Sequence, residues 1–107
     1  MKKKFQLQAE DIKDIARGHG ACFASDHITI EGQKVGFMYR EEPGSAIDSG
    51  WRFLSGNESQ EYLDNPKNLA MYDVNTIANY DPEIIPYLSA FVGSAFIWSG
   101  DRFIAED

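Results

Sequence analysis

Apolar residues recur at helical spacing near the start of the chain. Four of them fall on one face of a helix over residues 9–17, which begins with acidic residues. These are Ala9, Ile12, Ile15 and Ala16. Arg17 in the last turn and Gly18 just beyond it are typical of a helix C-terminus. The pattern therefore predicts a short amphipathic helix.

Further along, the apolar period changes toward two, the period of a β-strand. The segments ACFASDHITI (21–30) and KVGFMYRE (34–41) flank a short EGQ segment that contains Gly32. This arrangement predicts two strands joined by a hairpin. In the second strand, alternate side chains would share one face. These are Val35, Phe37 and Tyr39.

The segment EEPGSAIDSG (41–50) concentrates Pro, Gly, Ser and acidic residues between apolar segments, which predicts an exposed loop. WRFL (51–54) resumes the pattern of a strand. Its side chains alternate, so Trp51 and Phe53 would point to one face and Arg52 and Leu54 to the other.

Three helix starts are predicted in the second half of the chain. Ser55 and Glu58 match a capping box, so a helix should run to Asp64 before Pro66 stops it. Asp73 predicts a second N-cap, and Asp81 followed by Pro82 predicts a third. Pro86 should keep the last helix short.

The last segments, SAFIW (94–98) and RFIA (102–105), are separated by SGD and predict a second hairpin. Strands and helices do not alternate as in a parallel βαβ fold. We therefore predict an α+β fold. It would be a single small domain with a mostly antiparallel sheet of about five strands, an N-terminal helix and two or three short helices.

Composition is consistent with one folded domain. The chain has 107 residues, 43% of them hydrophobic and 13% aromatic, which is ordinary for a globular protein. The net charge of -7 repels phosphate backbones, so nucleic acid is not expected as a partner, and basic partners are favoured.

The chain is expected to be a cytoplasmic protein. Its first residues, MKKK, are followed by polar and charged residues instead of the apolar core of a secretory signal. No apolar run approaches the roughly 18 residues that span a bilayer, so no membrane partner is expected. The single cysteine, Cys22, fits a reducing compartment.

Cys22 lies between His19 and His27, which suggests a thiol nucleophile or a metal site, with Asp26 as a further ligand. On a strand, however, residues three and five positions away from Cys22 fall on the opposite face. A buried strand cysteine is therefore the preferred interpretation. Neither a metal nor a cofactor is predicted.

Carboxylates are abundant enough to supply a catalytic acid–base pair by chance alone. The candidates are Asp48, Glu58, Asp64, Asp73 and Asp81. Two of them already serve as predicted helix caps. We therefore assign no catalytic residues and do not expect an enzyme.

Several motifs together resemble one family. They are VGFMYREEP (35–43), DSGWRFLSGNE (48–58), YLDNPKNL (62–69), YDVNTIANYDPEIIPYL (72–88) and GSAF (93–96). In this order they resemble a small bacterial domain family that is grouped with the immunity proteins of polymorphic toxin systems. The resemblance covers residues 20–96, so residues 1–18 would form a helical extension and residues 97–107 a C-terminal strand and tail.

The resemblance implies a non-enzymatic protein that binds one cognate toxin domain and occludes its active site. An acidic surface would suit a basic toxin. Aromatic and Arg anchors with a charged rim are the usual chemistry of such interfaces. The interface candidates are Asp48, Trp51, Arg52, Glu58, Tyr62, Asp64 and Asp73.

Each candidate also has a structural interpretation. Trp51 can belong to the core, and Arg52 can pair internally with Asp48 or Glu58. Asp73 can serve simply as a helix cap, and Glu58, Tyr62 and Asp64 can form a solvated helix face. A different class of function also stays open, a small ligand-binding or regulatory module with a pocket near Trp51 and Arg52. An apolar cavity would favour that module, whereas a flat acidic face would favour protein docking.

Overall fold

Six strands form one mixed sheet in the computed structural model, which describes residues 3–106. The strands are β1 (Ala21–Ser25), β2 (Phe37–Arg40), β3 (Asp48–Leu54), β4 (Leu69–Asp73), β5 (Ala95–Trp98) and β6 (Phe103–Ala105). Their order is β4-β1-β3-β2-β5-β6. Only β1 and β3 run parallel within this sheet, and the other neighbours are antiparallel. The predicted α+β fold is confirmed, with β4 as a strand that was not predicted.

Short helices connect the strands. The α-helices are α1 (Asp26–Thr29), α2 (Gln60–Asp64) and α3 (Val74–Tyr80), and 3-10 helices span Ala9–Asp11, Pro66–Asn68 and Pro82–Tyr87. The predicted caps Asp73 and Asp81 are confirmed, because their carboxylates accept hydrogen bonds from the N–H groups of Asn75 (2.8 Å) and Glu83 (3.1 Å). Within residues 3–106, no helix has the length and apolar character needed to cross a membrane.

The predicted helix over residues 9–17 is wrong beyond its first turn, which is the 3-10 helix Ala9–Asp11. The side chain of Asn75 on α3 explains the difference. Its Oδ1 accepts the backbone N–H groups of Ile15 (2.9 Å) and Ala16 (2.8 Å), which a helix would have directed to its own carbonyls. The segment is therefore an irregular strap that is held against α3.

The predicted hairpin between residues 21–30 and 34–41 is also wrong. The first strand ends at Ser25, whose Oγ accepts the N–H of His27 at 3.0 Å and caps α1. Strand β1 then pairs with β3 and β4, and β2 pairs with β3 and β5. Of the predicted facing residues, Val35 precedes β2, while Phe37 and Tyr39 share a face of it.

Two predictions near β3 need adjustment. The loop after β2 is exposed as predicted, but β3 begins at Asp48, so the strand takes the last three residues of the predicted loop. Helix α2 begins at Gln60 with Ser59 as its cap, later than the predicted capping box at Ser55. The C-terminal hairpin of β5 and β6 is confirmed.

The core lies on one face of the sheet, where α3 and the 3-10 helix Pro82–Tyr87 cover it. Trp51 and Phe53 stack there with ring centroids 5.9 Å apart, and both are fully buried. The opposite face, here called the open face, carries half-buried or exposed side chains. They include Phe23, Phe37, Tyr39, Arg52, Met71, Ile97 and Ile104.

Candidate functional site

Arg52 lies at the centre of an ion-pair cluster on the open face. Its Nε is 2.6 Å from Glu41 Oε2, and its Nη1 and Nη2 donate to the two carboxylate oxygens of Asp48 at 2.9 and 2.8 Å. The guanidinium also lies over the ring of Phe23, 4.9 Å from its centroid. We call Phe23, Glu41, Asp48 and Arg52 the Arg52 cluster. Internal pairing of Arg52 with Asp48 is confirmed, with Glu41 in place of Glu58 as the second partner.

Gly50 makes this cluster possible. Residues four apart on a regular strand are about 13 Å apart, too far for a bidentate pair. At Gly50, φ is +90°, and the register of β1 against β3 shifts at the same place. The resulting bend brings Asp48 and Arg52 together. The missing Cβ also leaves room for the Glu41 carbonyl, which a side chain at this position would strike.

The charges of the cluster are fixed by their surroundings. The hydrogen bonds from Arg52 and from the N–H groups of Gly44 and Gly50 hold the pKa of Asp48 well below its usual range, against the effect of burial. The same contact with Asp48 raises the pKa of Arg52. Side-chain exposure is 4% for Asp48 and 12% for Arg52. Both groups are therefore ionised and held rigidly, and four of the five guanidinium N–H groups donate within the chain.

A second polar cluster surrounds Glu58, whose side chain is 1% exposed. Its Oε2 accepts from Ser25 Oγ at 2.6 Å and from the N–H of Ser55 at 2.8 Å. Burial alone would raise the pKa of Glu58, but these hydrogen bonds outweigh burial and lower it. His27 completes the group, with Nδ1 2.8 Å from Ser55 Oγ and its ring 4.5 Å from that of Tyr62. We call these five residues the Glu58 cluster.

The Glu58 cluster contains a serine, a histidine and a carboxylate, but its geometry is not that of a catalytic triad. In a triad, the two ring nitrogens of histidine contact the serine and the carboxylate separately. Here the same nitrogen, His27 Nδ1, faces both Ser55 Oγ at 2.8 Å and Glu58 Oε2 at 3.5 Å. The other ring nitrogen, Nε2, lies 3.9 Å from Glu31 Oε2, which is beyond hydrogen-bonding distance. The cluster therefore lacks the hydrogen bonds of a triad, and its contacts order the loop before α2.

Trp51 is a core residue. It is fully buried, and its Nε1 donates to the carbonyl of Leu88 at 3.2 Å. In this conformation Trp51 offers no surface to a partner. It lies directly beneath Arg40, whose guanidinium is 5.8 Å from the indole centroid.

The other predicted interface residues divide between the two ends of the sheet. Asp73 shares one end with Asp48, because both pair with Ala21. Tyr62 and Asp64 lie on α2 at the other end. The ends are roughly 20 Å apart, from a rise of about 3.3 Å per residue along the seven residues of β3.

The end where β1, β3 and β5 begin collects carboxylates, and we call it the acidic end. Its acidic residues are Glu41, Glu42, Asp48, Asp73 and Glu106, all exposed except Asp48. Glu106 belongs here because its N–H donates to the carbonyl of Ala95 at 2.8 Å. Three of these residues, Glu41, Glu42 and Glu106, were not predicted. Glu41 and Glu42 are adjacent in sequence, so YREE could have indicated an acidic patch. Only the pairing of distant strands brings Glu106 to the same place.

A family model described as Immunity protein Imm33 domain matches residues 22–105. The chain belongs to the Imm33 immunity protein family. The predicted resemblance is thereby confirmed, and the Imm33 match extends past residue 96 to the end of β6. No curated protein and no solved structure matches the chain.

The Imm33 domain has an open groove at its acidic end, with a volume of about 770 Å³. His19, Ile47, Asp48, Met71 and Asp73 are among its lining residues. The mixture of exposed apolar and acidic groups suits contact with a protein surface.

Cys22 of the Imm33 domain is fully buried on β1, as predicted, and burial raises the pKa of its thiol. Within residues 3–106, no group of three or more His, Cys, Asp or Glu side chains is arranged to hold a metal ion.

Proposed function

We propose that this Imm33 domain neutralises a cognate bacterial toxin by binding it directly in the cytoplasm, as part of a polymorphic toxin system and without catalysis of its own. The observation that carries this proposal is the family match over residues 22–105, which spans the whole sheet apart from the first residue of β1. An immunity protein of this kind needs a preformed surface and no reactive group.

The acidic end supports a basic toxin domain as the partner. Its five carboxylates face the guanidinium groups of Arg40 and Arg52, which both bond inward. Arg17, next to the groove residue Gly18, is paired with Asp14 at 3.4 Å. Four of the chain's ten Lys and Arg residues lie at the opposite end or beside it. They are Lys3, Lys34, Lys67 and Arg102. The opposite end also carries carboxylates, among them Asp26, Glu31, Glu61, Asp64 and Asp101, so net charge does not distinguish the two ends. The net charge of -7 favours a basic partner, and the groove between His19, Asp48 and Asp73 favours the acidic end as its contact.

We propose that the binding surface is centred on Asp48, Arg52 and Asp73, with Trp51 as support beneath them. A standard interface buries about 800 Å² per partner, a patch roughly 30 Å across. A toxin domain lying along the open face would therefore also reach Tyr62 and Asp64, while the buried carboxylate of Glu58 orders the loop beside them.

The test is capture followed by inhibition. The tagged full chain is used to capture proteins from the native host at low and moderate salt, and each captured protein is then produced separately. The proposal expects one toxin domain that forms a 1:1 complex and loses its toxic activity in that complex. Captured proteins without toxic activity, or a toxin that stays active in the complex, would refute it.

Charge reversal locates the surface. Glu42→Lys with Glu106→Lys should weaken the complex, and more strongly at low salt, because the two exposed carboxylates attract the toxin at long range. The matched control is Glu10→Lys with Glu83→Lys, which changes the net charge equally at exposed positions on the 3-10 helices Ala9–Asp11 and Pro82–Tyr87, away from the open face. Equal loss in both pairs would indicate a general charge effect without a specific face.

A further inference from the structure

Phe91 is the most exposed large hydrophobic side chain among residues 3–106. It is 86% exposed, and its neighbour Val92 is 42% exposed. Single exposed apolar residues are common on protein surfaces. Phe91 differs from such residues because the backbone that carries it is fixed on both sides.

Residues 91–94 form a tight turn in which the N–H of Ser94 donates to the carbonyl of Phe91 at 3.0 Å. Gly93 occupies the third position with φ of +99°, as a type II turn requires. The N–H of Gly93 donates to the carbonyl of Arg40, and the N–H of Arg40 donates to the carbonyl of Ser94 at 2.9 Å. The turn is therefore attached to the end of β2.

The side chain of Arg40 fixes the other side of the turn. Its Nη1 donates to the carbonyl of Ala90 at 2.8 Å, and its Nε donates to the carbonyl of Ser49 on β3 at 2.8 Å. The guanidinium of Arg40 thus contacts the turn, strand β3 and the indole of Trp51 beneath it. Because the backbone of the turn is already fixed, a partner that buries Phe91 pays for the rotamer freedom of the side chain but not for ordering the loop.

The charges around Phe91 limit what can cover it. Glu41 and Glu42 follow Arg40 directly, and Glu106 lies beside Ala95, just after the turn. A second copy of the chain would bring two acidic ends together and be repelled. An anionic membrane surface would be repelled for the same reason. A basic protein surface with an apolar pocket fits both the ring and the carboxylates.

We infer that Phe91 is the apolar anchor of the toxin-binding surface and that it inserts into an apolar pocket on the basic face of the toxin domain. This inference rests on the proposed function and adds a specific contact to it. The carboxylates of the acidic end form the charged rim around the anchor, as in interfaces where one buried aromatic side chain carries much of the affinity.

The test is Phe91→Ala in the full chain, with the purified toxin domain from the capture experiment as the probe. We expect the dissociation constant to rise at least about 30-fold, the size of a hot-spot effect. The thermal unfolding midpoint should stay within about 2 °C, because the ring makes little contact within the chain. Phe5→Ala is the matched control, since Phe5 is 39% exposed next to Gln6, whose N–H donates to the carbonyl of Thr29 at the opposite end of the sheet, and should leave binding unchanged.

Two results would overturn this inference alone. One is binding of Phe91→Ala within about threefold of the wild type while the wild-type chain inhibits the toxin. The other is a wild-type dimer in analytical ultracentrifugation that Phe91→Ala dissociates, because a second copy would then cover the ring. A wild-type chain that inhibits no toxin would overturn the proposed function as well.

Discussion

The Arg52 cluster predicts a large and pH-dependent loss of stability in Asp48→Asn. The amide keeps the shape of the carboxylate but removes its charge. Each Asp48 oxygen accepts one N–H from Arg52 and one backbone N–H, from Gly50 at Oδ1 and from Gly44 at Oδ2. The new NH₂ group must therefore face two donors with no acceptor.

Removing one partner of a buried ion pair costs about 3–5 kcal/mol. Asp48 and Arg52 have side-chain exposures of 4% and 12%, so this range applies to them. Glu41, which is 51% exposed, still pairs with Arg52 in the variant. This pair reduces the free-energy cost of leaving the buried guanidinium without Asp48. We therefore expect the free energy of unfolding to fall by about 3 kcal/mol at pH 7, a large part of the roughly 5–15 kcal/mol of a small domain.

The pH dependence has a definite sign. The pKa of Asp48 is lower in the folded chain than the value of about 3.9 in an unfolded chain. Its contribution to stability is therefore complete above about pH 4 and is lost as the pH falls toward the folded pKa. The difference between wild type and Asp48→Asn should be full at pH 7 and clearly smaller at pH 3.

Urea unfolding followed by tryptophan fluorescence measures both quantities. The matched control is Asp64→Asn, which removes an exposed carboxylate that accepts from Gln60 on the same helix and should cost less than about 0.5 kcal/mol. A loss below about 1 kcal/mol for Asp48→Asn, or a difference that stays constant between pH 7 and pH 3, would refute the ion-pair reasoning.

Three further changes test other parts of the structure. Glu58→Gln should lower the free energy of unfolding by about 2 kcal/mol in urea, because a buried hydrogen-bonded charge is lost, and exposed Glu61→Gln should change it little. Gly50→Ala should lower the thermal midpoint far more than Gly100→Ala; both glycines have positive φ, but only at Gly50 would a Cβ strike another backbone atom. The Cys22 thiol should react with a disulfide reagent only at the rate of unfolding, whereas fast labelling of native protein would contradict its burial.

The sequence correctly predicted the elements that are determined by residues close together in the chain. The Asp73 and Asp81 caps and the hairpin of β5 and β6 depend on residues close in sequence. Strand β4 was missed because Leu69–Asp73 has four successive apolar or aromatic residues and no alternation. The pairing of β1 was predicted wrongly because periodicity identifies a strand but does not identify its partner.

The candidate site was predictable only in part. The Asp48–Arg52 pair was among the open alternatives, but its geometry depends on the bend at Gly50, which a regular strand does not have. Phe91 was not among the predicted interface residues, because composition cannot separate an exposed ring from a buried one. The acidic end was not predictable, because it arises from the order of six strands.

The rigid charges and the exposed ring should affect different steps of toxin binding. Arg52 already uses four of its five guanidinium N–H groups within the chain, so it cannot bind a toxin carboxylate through two N–H groups without giving up an internal partner. The free carboxylates of the acidic end act at a distance, so reversing Glu42 should mainly lower the association rate and its salt dependence. Phe91 acts only after contact, so Phe91→Ala should mainly raise the dissociation rate. If both variants changed only the dissociation rate, the carboxylates would be direct contacts within the interface without a steering role.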